Sequence, residues 1–107
     1  MKRGDLVTIA MQGDFGKPRP ALVIQANPFN EHSSVTVLPV TSNLVDAPLL
    51  RVPAQPSAKN GLKKSSQIMI DRVLTVRRDK VGAIIGHLES ETLREIERCL
   101  VVFLGIA

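Results

Sequence analysis

Short apolar runs, each cut off by proline, glycine, asparagine or charge, constrain this chain more than any other feature. Leu6–Met11 alternates, with Val7, Ile9 and Met11 on one face, as a half-buried strand does. Ala21–Ala26 is nearly continuous apolar sequence, the pattern of a central strand buried on both sides. Asn27-Pro28-Phe29-Asn30 breaks it. Val35–Leu38 is the third run and is expected to end at Pro39, and Leu49–Val52 is expected to close at Pro53. Ser66–Ile70 ends at Asp71, and Val81–Gly86 follows the charged turn Arg77-Arg78-Asp79-Lys80. The period then changes. Leu93, Ile96, Leu100, Phe103 and Leu104 fall at helical spacing, with Ser90 as the expected N-cap, Glu91 in the first turn and Gly105 at the C′ position. Strands joined by tight breakers, then one amphipathic helix, predict a mainly β fold with α: a small twisted antiparallel barrel carrying a C-terminal helix. The 107 residues suit one domain, 1–107, with a modest core.

Composition narrows the chemistry. The chain has no Trp or Tyr and three Phe, so its core must be built from Val, Ile and Leu. An aromatic platform for stacked bases is thereby excluded, leaving Phe15 and Phe29 as the loop residues able to stack on a base. The net charge of +4 is unevenly spread: residues 1–88 carry 12 Lys/Arg against 6 Asp/Glu, while residues 89–107 carry 2 against 4. A basic body suits a polyanion on one face, although a solvated surface gives the same count. Cys99 is the lone cysteine and, in a helical pattern, reads as a small buried hydrophobe. His32 and His87 are the only histidines, so no Cys/His cluster has zinc spacing, and neither a metal nor a cofactor is expected. The sequence has no apolar signal segment or membrane-length run, which points to a cytoplasmic protein.

Gly16-Lys17-Pro18-Arg19-Pro20 leads into the second run, with an arginine held between two prolines. Each proline fixes its own φ and forces the residue before it to be extended, so Lys17 and Arg19 stand on a stiff backbone. A permanently charged planar guanidinium placed this way suits a phosphate, which it can bind through two oxygens at once. A surface hairpin arginine flanked by prolines has the same signature. Thr41-Ser42 ends the next run, and a long basic loop from Ala54 to Ser65 carries Lys59, Lys63 and Lys64.

In order along the chain, Arg3-Gly4-Asp5-Leu6-Val7, Gly16-Lys17-Pro18-Arg19-Pro20-Ala21-Leu22-Val23, Val40-Thr41-Ser42, Asn60-Gly61-Leu62, Ile70-Asp71-Arg72 and Ile85-Gly86-His87-Leu88 resemble the MazF/PemK family of toxin ribonucleases. The resemblance spans residue 3 to Gly105. It implies an SH3-like barrel, a homodimer, and metal-independent cleavage of single-stranded RNA, often mRNA. It also implies a cognate antitoxin with an acidic C-terminal tail that covers the groove. Arg19 matches the family's catalytic Arg and Thr41 its catalytic Thr. Asp71 lies where some members carry a functional Asp, and Asp14 roughly matches an acidic loop residue of others. Certain members have an Arg two residues before that Asp; this chain has Met69 there.

Metal-free RNA cleavage uses the ribose 2′-OH as internal nucleophile. It requires a base for that hydroxyl, donors for the phosphorane oxygens and a proton for the leaving 5′-oxygen. Arg19 is expected to stabilise charge and Thr41 to hold a non-bridging oxygen, with Ser42 assisting or capping the turn. Arginine is a poor proton carrier, so Asp71 is the candidate base, unless it is a turn residue or a partner of Arg72. Lys17, Lys59, Lys63 and Lys64 are candidates to track the RNA backbone, with Asp14 and Phe15 as further loop contacts. Two other readings are a gyrase-poisoning relative of the CcdB group and a basic module that binds RNA or protein without cutting. The chain ends Phe103-Leu104-Gly105-Ile106-Ala107, without the Trp-Gly-Ile tail of the CcdB group.

Overall fold

The computed structural model describes residues 1–10 and 17–106. The expectations for Met11, Asp14 and Phe15 lie outside the described residues. Among them, seven strands form one antiparallel sheet: β1 (Asp5–Ala10), β2 (Pro18–Val23), β3 (Ser34–Thr41), β4 (Arg51–Ala54), β5 (Ser66–Met69), β6 (Leu74–Arg77) and β7 (Val81–His87). Helix α1 (Ser90–Leu104) follows. Neighbours run β4-β5-β3-β2-β1-β7, with β6 also paired to β3. Among the described residues β4 and β7 end this path, so the sheet twists around its core without a closing seam.

Alternation sorts the side chains of β1, β2 and β3 into two cores. Leu6, Leu22 and Leu38 join Val52, Ile68 and the helix residues Ile96, Cys99 and Leu100 on one face. On the other face Val7, Ala21, Val23, Val35 and Val37 pack together under Leu74, Val76 and Val81. Ala21, Leu22 and Val23 are therefore buried on both sides, as the continuous run predicts. Each fully buried Val, Leu or Ile contributes about 1.5–3 kcal/mol of burial.

Prolines do not stop the strands where expected. β3 runs through Pro39 to Thr41, and Pro39 sits where β3 changes partner, after the β6 pair Val37–Leu74 and before the β5 pair Val40–Ile68. No ladder bond to β5 or β6 is asked of it at that junction. β4 begins at Arg51 and runs through Pro53. It is the end strand of the path, with one edge unpaired, and a missing amide is tolerated there. β2 starts at Pro18, before the apolar run, and stops at Val23 rather than Ala26. β6 was hidden between Asp71 and the charged turn, because its exposed Thr75 and Arg77 dilute the apolar signal.

The helix ends as expected at Gly105, in left-handed conformation with φ 70°. Its start differs: the N-cap position is Glu89, not Ser90. The Glu89 carboxylate does not cap, because it accepts from Ser57 Oγ (2.6 Å) and Asn60 Nδ2 (3.0 Å). Ile96 and Leu100 are buried and Leu93 packs against them, but Phe103 and Leu104 are 46% and 52% exposed. The last turn of α1 runs past the core.

Candidate active site

β2 and β3 position the central pair. Their ladder sets Ala21 across from Pro39, Leu22 across from Leu38 and Val23 across from Val37. Two residues beyond the Ala21–Pro39 pair stand Arg19 on β2 and Thr41 on β3, where the ladder between these strands has ended. Among the described residues, positions 18–20 of β2 are paired on one edge only, to β1 through Thr8, Ile9 and Ala10. Two prolines two residues apart lose their amides on the same edge, so Pro18 and Pro20 fit a stretch with a free edge. The sequence thus brings an arginine and a threonine to one groove where the strands separate.

A groove of about 1200 Å³ opens at that point. Lys17, Arg19, Thr41, Ser42, Lys63, Lys64 and Asp71 all line it, so most of the expected site residues converge. Arg72 lines it as well, giving five cations against the single carboxylate of Asp71 among the described lining residues. That balance favours a polyanion. Pro39 and Met69 supply apolar wall between the charged groups. Lys59 is exposed and does not line the groove; its carbonyl accepts the His87 amide instead (2.9 Å).

Thr41 is half-buried, and its hydroxyl oxygen accepts the Asn43 amide at 3.0 Å. This bond orients Oγ1 and leaves the hydroxyl proton to donate. Asp71 lies in the turn after β5 and bonds Arg51 Nη1 at 2.5 Å through Oδ1, not Arg72. The Arg51 hydrogen bond holds the Asp71 carboxyl below the usual carboxylate range, helped by the charges of Arg51 and Arg72. Arg51 also donates from Nη1 to the Leu50 carbonyl (2.9 Å). Nothing in the sequence around Arg51 marks it; only the β4–β5 pairing, which sets Arg51 across from Met69, brings a guanidinium to this place.

The histidines lie elsewhere. His87 Nδ1 pairs with Asp5 Oδ1 (2.8 Å), tying β7 to β1. His32 Nδ1 accepts the Ser34 amide at 3.2 Å. Phe29 is exposed in a short 3₁₀ turn, Asn27–Phe29, and does not line the groove. Among the described residues no three His, Cys, Asp or Glu side chains converge as a metal site would require.

The basic wall of the groove is built on a buried asparagine. Asn60 Oδ1 accepts the amides of Ser57 (3.0 Å) and Leu62 (2.9 Å), and its Nδ2 donates to the Gln55 carbonyl (2.8 Å) and to Glu89. Gly61 follows at φ +69°, so close to β7 that a Cβ would stand 2.0 Å from the Ile85 carbonyl oxygen. Only glycine allows both the conformation and the approach. Lys63 and Lys64 emerge directly after this clamp.

PemK-like, MazF-like toxins of type II toxin-antitoxin systems match residues 2–104. The chain belongs to this family. It is 45% identical to the probable endoribonuclease MazF of Mycolicibacterium smegmatis (strain ATCC 700084 / mc(2)155), over 100% of this chain and 99% of that protein. The endoribonuclease EndoA of Bacillus subtilis (strain 168) is 23% identical, over 99% of this chain and 96% of its own length. Among solved structures, the Mycobacterium tuberculosis toxin MazF-mt6 superposes with a TM-score of 0.77 at 25% identity, over 94% of this chain and 96% of that one. An endoribonuclease in complex with its cognate antitoxin from Mycobacterial species gives a TM-score of 0.84 at 23% identity, over 100% and 97%. At that identity the likeness speaks for the fold.

Proposed function

We propose that this protein is the toxin of a type II toxin-antitoxin system and a sequence-preferring endoribonuclease that cuts single-stranded RNA, including mRNA, without a metal ion. The observation that carries this reading is the convergence of Arg19 and Thr41 on a groove lined, among the described residues, by five cations and one anion. Lys17, Lys63 and Lys64 hold the RNA backbone, and Ser42 joins Thr41 at the strand end. The ribose 2′-oxygen attacks the adjacent phosphorus as its proton passes to Asp71. Arg19 offsets the charge growing on the non-bridging oxygens, and the Thr41 hydroxyl donates to one of them. The P–O5′ bond then breaks and the 5′-oxygen takes a proton from water. The products are a 2′,3′-cyclic phosphate and a 5′-hydroxyl. Losing one such donor costs roughly 10²–10³ in rate.

A cognate antitoxin with an acidic C-terminal tail and a second copy of the chain complete the proposal. A groove so rich in cations suits an acidic segment by charge. Val102, Phe103, Leu104 and Ile106 leave apolar surface for a partner at the end of α1. The cytoplasm is the proposed location; among the described residues no helix is long and apolar enough to cross a membrane. Nuclease activity is favoured over gyrase poisoning by the full-length relative named as a probable endoribonuclease. The test is incubation of the protein with a long single-stranded RNA in EDTA, followed by end-group analysis. Discrete fragments with cyclic phosphate and 5′-hydroxyl ends are expected. Intact RNA, or fragments with 5′-phosphates, would overturn the reading.

A further inference from the structure

The base assigned above is an aspartate in a turn, beyond the hydrogen-bonded end of β5. A carboxylate there needs something to hold it. Asp71 has 27% of its side chain exposed, while Arg51 is only 13% exposed and its Nη1, the atom that meets Asp71, also donates to the Leu50 carbonyl. The backbone around the pair is fixed as well, since the Ile70 amide donates to that same Leu50 carbonyl at 2.9 Å. The edge strand and the turn are thus clasped at one point by a main-chain bond and a side-chain ion pair. Only Oδ1 of Asp71 is engaged by Arg51, and among the described residues Oδ2 has no hydrogen bond to another side chain.

We propose that Arg51 is a positioning residue for RNA cleavage: it pins one oxygen of Asp71 at the groove wall and leaves the other to take the 2′-hydroxyl proton. The inference rests on the reading of Asp71 as the base. Arg51 does not line the groove, whereas Asp71, which it holds, does. It acts through Asp71 alone, which separates it from Arg19 and Thr41.

Asp71 is faced by Arg51 from β4 and flanked by Arg72. The groove's other cations are Arg19 and Lys17 from the β2 side and Lys63 and Lys64 from the basic wall. In Arg51→Met the hydrogen bond that contributes most to the carboxyl's low proton affinity is gone, and the charge of Arg72 is retained. The Asp71 proton is then bound more readily, and the acid limb of the cleavage-rate profile moves to higher pH. A carboxylate free to turn also meets the 2′-hydroxyl less often in the reactive geometry, a loss of about tenfold to a hundredfold at neutral pH.

Single-turnover cleavage of one defined RNA is measured from about pH 2.5 to pH 8, a range that reaches below the ordinary carboxylate value of 3.8, for the wild type, Arg51→Met, Arg51→Lys, Asp71→Asn and the double variant. Thermal melts and RNA-binding titrations run alongside. Expected are a slower Arg51→Met with its acid limb at higher pH, partial recovery of rate and limb in Arg51→Lys, and no added loss from Arg51→Met in the Asp71→Asn background. An active Asp71→Asn would overturn the base assignment and this inference with it. An inactive Asp71→Asn beside a folded Arg51→Met with wild-type rate and limb would overturn the inference alone. If Arg51→Met does not fold, Arg51→Lys decides: an unmoved acid limb together with additive loss in Arg51→Lys/Asp71→Asn refutes the positioning role.

Discussion

Replacing Asn60 by alanine removes four hydrogen bonds at a side chain with 0% exposure. Three go to neutral backbone groups and one to the Glu89 carboxylate. A neutral bond contributes about 1 kcal/mol net, and one to a charged group about 2 kcal/mol. Ser57 and Gln55 are exposed and regain water, whereas Leu62 is buried and its amide does not. The expected loss after that discount is about 3–4 kcal/mol. At about 4 °C per kcal/mol for a domain of this size, the melting temperature should fall by roughly 12–16 °C. Thermal melts of wild type and Asn60→Ala measure the shift and urea melts the loss in free energy, with an unchanged m-value marking a native-state effect. Asn60→Asp sharpens the test. It keeps the acceptor but sets a second carboxylate against Glu89, so it should be badly destabilised at neutral pH and recover in part as the pH falls. A loss below about 1 kcal/mol for Asn60→Ala would refute the claim that this residue anchors the basic wall.

Gly86→Ala should cost several kcal/mol, because the new Cβ would stand 2.3 Å from the Asn60 carbonyl carbon and oxygen; a wild-type melt would contradict the close packing of the loop on β7. The Glu89 carboxyl is held below its ordinary value of 4.5 chiefly by the Ser57 hydrogen bond, with Asn60 adding to it. Its stabilisation is therefore complete above that value and lost as the pH falls through the lower folded one. Glu89→Gln should narrow its deficit relative to wild type in melts taken from pH 5 down to pH 3, and a constant gap would be inconsistent with this linkage. Lys63→Ala and Lys64→Ala should each weaken binding of an uncleavable 2′-deoxy strand and flatten its dependence on log salt by about 0.7. Unchanged slopes would remove both lysines from the backbone contacts.

The architecture was legible because alternation survives in a half-buried sheet. Val7 and Ile9 mark β1, and the unbroken Ala21-Leu22-Val23 marks a strand with a core on each side. Proline misled where topology, not sequence, decides its cost. Pro39 sits at a change of partner and Pro53 on an edge, and neither position is visible without the pairing. The helix begins one residue earlier than Ser90 suggested, and the carboxylate of Glu89 at its N-cap position is engaged by Ser57 and Asn60, distant in sequence, rather than by the helix. In the groove, Arg19 and Thr41 carried local signals in their flanking prolines and strand ends. Arg51 carried none, since its significance comes from Asp71, twenty residues away. Lys59 shared the composition of Lys63 and Lys64, but it precedes the Asn60 clamp and they follow it.

The most direct test of the central claim is single-turnover cleavage of one mapped RNA by wild type and Arg19→Ala, with binding to the 2′-deoxy analogue and thermal unfolding measured on the same samples. Arg19 is exposed near the start of β2 and belongs to neither core, so the variant should remain folded. Cleavage should fall by about 10² or more, the loss expected when a donor to the developing phosphorane charge is removed. A folded Arg19→Ala that cuts at the wild-type rate would contradict the site.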